Sequence, residues 1–210
     1  ARIADTGPVT VAEFMELALG HPEYGYYMKG DPFGIGGDFI TAPEISQIFG
    51  EMIGLWAAVA WQQIGRPERT ILIECGPGRG TLMSDFLRAA KTVPEFRDSI
   101  DIHLVENSPA MRSLQRSTLT GSAPTWHDSI DTVPAGPAIV IANEFLDALP
   151  IRQFVKTGNG WAERRIDFVA DEFTFVPGEK ISAVEHLLPT ATAVAGTIFE
   201  TCPAALEFAD

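Results

Sequence analysis

The stretch ILIECGPGRGTL, Ile71 to Leu82, limits the possible folds more than any other part of the chain. An apolar run ends in Glu74 and Cys75. Gly76, Gly78 and Gly80 then alternate with Pro77 and Arg79, and the amphipathic segment LMSDFLRAA follows at once. A short apolar run cut off by glycines reads as a strand covered on both faces, as in a parallel sheet packed between helices. The order is strand, tight loop, helix. Glycines there tolerate positive φ and let backbone approach a ligand, and the helix behind them offers unpaired N–H groups.

Spacing selects the ligand. A dinucleotide loop reads G-x-G-x-x-G, whereas this one reads E-x-G-x-G-x-G, which suits a nucleoside without a pyrophosphate and argues against a nicotinamide oxidoreductase. The next strand, IDIHLVE, ends at Glu106, and a carboxylate at that tip can accept hydrogen bonds from both hydroxyls of a ribose. An adenosine-type ligand satisfies both features. In S-adenosylmethionine the loop would face the methionyl part and Glu106 the ribose. The competing reading is a purely structural βα turn with an unrelated Glu nearby. The combination of strand, loop, helix and acidic strand end weighs against it.

Other stretches carry less information. Thr10 and Glu13 form a capping-box pattern ahead of a helix closed by Gly20 and Pro22. Tyr24, Tyr26 and Tyr27 read equally well as pocket lining or as a hydrophobic plug. Residues 28 to 47 read as a structured, glycine-rich lid, because Phe33, Ile35, Phe39 and Ile40 are too apolar for disorder. Ser46 to Ile64 reads as a helix whose Gly54 and alanines allow close packing, with Glu44 and Glu51 near its loop end. TVPEFRDS reads as a loop and Pro109 to Thr118 as a helix. Trp126 and Asp128 follow at a third strand end, where Asp128 could accept from an adenine amine.

Ala138 to Ala142 reads as another buried parallel strand, with Asn143, Glu144 and Asp147 at its carboxyl end, the side on which open α/β sheets bind ligands. Helix capping by Asn143 or Asp147 is the alternative. From Ile151 to about Val176, alternating residues around G-N-G read as a β-hairpin with an added strand.

Composition narrows the class. At 210 residues and 46% hydrophobic content the chain can bury a large core. A net charge of −13 repels phosphate backbones, so nucleic acid is an unfavourable partner and a cationic one is favoured. No apolar run reaches the ~18 residues of a membrane span. The two cysteines, Cys75 and Cys202, show no zinc spacing and suit a reducing compartment. A bacterial cytoplasmic origin is the expectation, or the mitochondrial matrix if the source is eukaryotic.

The segments HPEYGYY, GGDFITAPEISQIFGE, IECGPGRGTL, VENSP, WHDS and NEFLDALPIRQF, in that order, resemble the MidA-like family of S-adenosylmethionine-dependent methyltransferases. Mitochondrial members of that family assist assembly of respiratory complex I by dimethylating an arginine. The resemblance implies an α/β, Rossmann-like, doubly wound core with an N-terminal helical cap over residues 1–66 and a core over 67–210. That core would carry an inserted hairpin near 151–176 and continue beyond this chain. It implies S-adenosylmethionine held by Gly76, Gly78 and Gly80 with Glu106 on the ribose, and a protein partner with an accessible arginine; Glu74, Pro77, Asn107, Asp128 and Asn143 complete the expected cofactor-binding set. Guanidinium chemistry then calls for paired carboxylates, with Glu144 and Asp147 the best candidates and Glu44 and Glu51 closing from the lid. A small-molecule methyltransferase and a cofactor-binding assembly chaperone are the alternatives.

Overall fold

The computed structural model describes residues 2–28, 40–181 and 193–209. In chain order the elements are α1 (Arg2–Thr6), β1 (Val9–Thr10), α2 (Val11–Gly20), α3 (Ala42–Ile45), α4 (Gln47–Gln63), β2 (Thr70–Cys75), α5 (Thr81–Ala90) and α6 (Pro94–Ser99). They continue with β3 (Ile100–Val105), α7 (Pro109–Thr118), β4 (Thr125–His127), β5 (Ala138–Ile141), β6 (Arg152–Thr157), β7 (Gly160–Val169), β8 (Glu172–Lys180), β9 (Ile198–Thr201) and α8 (Pro203–Ala209). Most of the expected lid, residues 29–39, lies outside the described residues.

The chain forms two compact units, Tyr26–Asp147 and Ala1–Gly25 with Ala148–Asp210. The resemblance implies a cap over residues 1–66, whereas packing groups the elements differently. Helix α4 belongs with the parallel sheet, and the N-terminal segment belongs with an antiparallel one, because β1 pairs with β7.

In the first unit the sheet order is β4-β3-β2-β5, all parallel. Strand β2 is buried along its whole length, as its apolar composition requires. Helix α5 buries Leu82, Met83 and Phe86 in a core shared with Leu72, Leu104, Phe96 and Trp61. Helix α4 lies close against α5 because two of its contact positions are glycines. A Cβ on Gly54 would stand 2.7 Å from the Phe86 carbonyl, and one on Gly50 would stand 2.9 Å from that of Leu82. Two expectations need correction. Part of TVPEFRDS is the short helix α6, started by Pro94 and anchored by the buried Phe96. Strand β5 is buried on one face only: Ile139 and Ile141 are in the core while Ala138 and Val140 on the other face are exposed.

The second unit is built on a five-stranded antiparallel sheet, with β7 central between β6, β1 and β8, and β9 beyond β6. The expected hairpin and its added strand are β6, β7 and β8, and the last of these runs on to Lys180. Phe154 and Trp161 are buried in its core. The capping box of α2 is present in full: Thr10 Oγ1 accepts from the Glu13 N–H at 3.1 Å, and Glu13 accepts from the Thr10 N–H at 2.9 Å.

Candidate functional site

The register of the parallel sheet sets the site. Cys75 lies opposite Val105, Val105 opposite His127 and Glu74 opposite Ile141, so the segments after all four strands leave from one rim. That rim carries the glycine loop after β2, Glu106 after β3, Asp128 after β4 and residues 143–147 after β5. The order of connection reverses between β2 and β5, which makes their shared crevice the topological switch point. There the side chain of Phe145 lies over Gly76: a Cβ on Gly76 would come within 2.9 Å of the ring.

The loop is tight. Gly76, Gly78 and Gly80 all have positive φ, and the Gly80 N–H donates to the Pro77 carbonyl at 2.8 Å. Gly80 caps α5, so its left-handed backbone turns the loop directly into the helix. Glu74, next to last in β2, is 3% exposed, and its Oε2 has no hydrogen-bond partner among the described residues. Burial pushes its carboxyl up to about 8. A buried carboxyl with an unused acceptor fits the ammonium end of an amino-acid-like ligand, while glycines free of Cβ atoms fit its close approach.

Glu106 is held through both oxygens. Oε1 accepts from the Ser108 N–H at 2.8 Å and Oε2 from Gln115 Nε2 at 3.2 Å, with the Asn107 N–H also contributing. Burial raises its pKa, and these donors together with Arg112 work against that rise. The buried Ser108 caps α7 and donates to the Tyr27 carbonyl at 2.9 Å, tying the Tyr26–Met28 turn to this strand end. Burial, and after it the charge of Asp147, raises the pKa of Tyr27.

The loop after β5 is acidic and bent. Glu144 has φ of 53°, a conformation few non-glycine residues adopt. Asp147, three residues on in the same loop, raises the pKa of Glu144 through hydrogen bonding and its charge.

The remaining predicted residues are placed less simply. Glu44 accepts from Thr81 Oγ1 at 2.6 Å and from Arg79 Nη1 at 3.2 Å, so it ties α3 to the glycine loop and the start of α5. Glu51 accepts from Arg88 Nε at 2.8 Å and from Gln47, bracing α4 against α5. Asp128 is mostly exposed and pairs with Arg112. Asn143 follows β5 on the rim beside Glu144.

Two contributors escape sequence reasoning. Phe145 looks like one more apolar residue in an acidic loop. Gln115 is fully buried and bonds to Gly78, Glu106 and Trp126. Its one sequence signal is a polar residue one helical turn from Met111 on the inner face of α7.

A parallel sheet with a glycine loop at its switch point and an acidic residue at the neighbouring strand tip defines the Rossmann-like methyltransferase fold. A crystal structure of a Burkholderia thailandensis protein bound to S-adenosyl-homocysteine superposes with a TM-score of 0.84 and 31% identity, covering 99% of this chain and 55% of that one. Residues 52–210 match the family model described as "Putative S-adenosyl-L-methionine-dependent methyltransferase", and the chain belongs to that family. Among curated relatives, protein arginine methyltransferase NDUFAF7 of Danio rerio is 41% identical across 89% of this chain and 49% of its own length. The Homo sapiens protein of the same name is 37% identical across 89% and 48%. The chain thus spans about half the length of the curated relatives it matches. No helix among the described residues is long and apolar enough to cross a membrane.

Proposed function

We propose that the protein is an S-adenosylmethionine-dependent methyltransferase acting on an arginine of a protein substrate, in the bacterial cytoplasm or, in a eukaryotic source, the mitochondrial matrix. The observation that carries this reading is the electrostatically linked carboxylates Glu144 and Asp147 in the loop after β5, on the rim that also bears the glycine loop and Glu106. The relatives' names as protein arginine methyltransferases support it.

When bound, S-adenosylmethionine supplies an electrophilic methyl group on a sulfonium. The chain's task is to hold that group and its acceptor in line. Gly76, Pro77, Gly78 and Gly80 receive the methionyl part, Glu74 accepts from its ammonium, and Glu106 accepts from the ribose. Asn107 supplies backbone support, while Asn143 and Asp128 border the ligand. A guanidinium is a weak nucleophile because its lone pair is delocalised. Two carboxylates fix its plane, and a bidentate pair suits its fork of N–H donors. Asp147 raises the pKa of Glu144, which suits Glu144 to take the proton that leaves the methylated nitrogen. Glu44 and Glu51 act by bracing the loop and α4.

The test is incubation of the full chain with methyl-labelled S-adenosylmethionine in a soluble extract, followed by mass spectrometry. Glu144→Gln and Asp147→Asn are expected to lower arginine labelling at least about a hundredfold with cofactor binding retained, and Gly78→Val to abolish both. Label on another residue or a small molecule would refute the arginine assignment. Cofactor binding with no transfer at all would support an assembly chaperone instead.

A further inference from the structure

Helix α7 places Gln115 at 0% exposure, one turn beyond Met111 and one turn before Leu119, on the face packed against the sheet. An apolar side chain would be the cheaper occupant of such a position, because burying an amide costs free energy unless its hydrogen bonds are made. Here three are made, to three separate elements. Nε2 donates to the Gly78 carbonyl at 2.7 Å and to Glu106 Oε2 at 3.2 Å, and Oε1 accepts from Trp126 Nε1 at 2.8 Å. The partners lie after β2, after β3 and within β4.

We infer that Gln115 is a positioning residue for the cofactor site, locking the glycine loop and the ribose-binding carboxylate of Glu106 into one geometry. The inference rests on the cofactor reading proposed above. A trans peptide holds its C=O and N–H on opposite sides. Drawing the Gly78 carbonyl toward α7 therefore turns the Arg79 N–H to the other side of the loop. Glu106 is oriented from both ends, by the Ser108 N–H on Oε1 and Gln115 on Oε2, and so presents one fixed plane. Trp126 in turn holds Gln115 by its carbonyl, which settles which end of the amide faces Gly78. Glutamate would be a poor substitute. It loses both donors and sets a second carboxylate against Glu106, with Arg112, which is already engaged by the Glu106 carbonyl and Asp128, and Arg116, which stacks over Trp126, as the neighbouring cations.

The test is calorimetric binding of S-adenosylhomocysteine to the full chain and to Gln115→Glu and Gln115→Met, from pH 5 to pH 8, with thermal melting of each protein without ligand. Gln115→Glu is expected to bind about tenfold or more weakly at pH 8 and to recover as pH falls and the new carboxyl takes up a proton, regaining a donor. Gln115→Met keeps the volume without burying a charge. It is expected to melt cooperatively and to bind about tenfold more weakly at every pH. A purely structural role would lower the melting temperature without producing the pH-dependent recovery. Wild-type binding with Gln115→Met within twofold of it overturns this inference alone, whether or not the glutamate variant folds. A wild-type chain that binds no S-adenosylhomocysteine overturns the cofactor reading, and this inference with it.

Discussion

Glu74 gives the sharpest stability prediction, because a single buried group controls it. The residue lies near the end of the wholly buried β2, and burial pushes its carboxyl from 4.5 to about 8. In the unfolded chain it titrates near its ordinary value. Between those two values the folded state keeps a proton that the unfolded state has released, so stability falls as pH rises from about 4.5 to about 8 and then levels off. At about 1.4 kcal/mol per pH unit, this one group withdraws about 3 kcal/mol by pH 7 and about 4 kcal/mol by pH 8, where it is half titrated in the folded state. Glu74→Gln keeps the shape and removes the titration. Urea unfolding of both proteins at pH 5, 6, 7 and 8 isolates the effect, since every other titrating group cancels in the difference. The variant should gain on the wild type by several kcal/mol across the series. Two pH curves that run parallel within about 0.5 kcal/mol would refute the reasoning. If the methionyl ammonium of the cofactor meets this carboxyl, binding at pH 7 ionises it. Calorimetry in buffers of different ionisation enthalpy should then report proton release.

Other predictions follow from packing and capping. Gly50→Ala would put a methyl group 2.7 Å from Asp85 Cβ and 2.9 Å from the Leu82 carbonyl, so it should cost about 1–3 kcal/mol; an unchanged thermal midpoint would contradict the α4–α5 contact. Thr10→Ala removes one half of the capping box of α2 and should cost about 1 kcal/mol in chemical denaturation. Glu51→Gln breaks a partly exposed pair with Arg88, which keeps Asp85, so the midpoint of chemical denaturation should barely move. Its methylation rate should stay within about twofold of wild type, and a hundredfold loss would return Glu51 to the substrate clamp.

Legibility from sequence followed the range of the forces involved. The strand, loop and helix at 70–90, the Thr10 capping box, the α4 segment and the hairpin around Gly158 to Gly160 depend on local patterns, and each was readable within a dozen residues. Turns without glycine were not. The β7–β8 turn rests on Ala170 and Asp171 at positive φ; Asp tolerates that conformation, but Ala does not signal it. α6 was hidden for a different reason: its six residues are too short for helical periodicity, and the buried Phe96 anchors it.

The sequence by itself determined the class of the protein. Alternating glycines after a buried strand, an acidic residue at the next strand end and an acidic loop after β5 are local features, and they stand in the chain in order. Tertiary structure alone decided which of these residues act together. Parallel register brings four strand ends to one rim, and packing of α7 carries Gln115 to Gly78, Glu106 and Trp126. The same packing gave Glu51 to Arg88 and Glu44 to Thr81 and Arg79. Each of these partnerships joins residues on different elements. Their formation depends on which faces the core buries, a property of the whole fold that no short stretch of sequence contains.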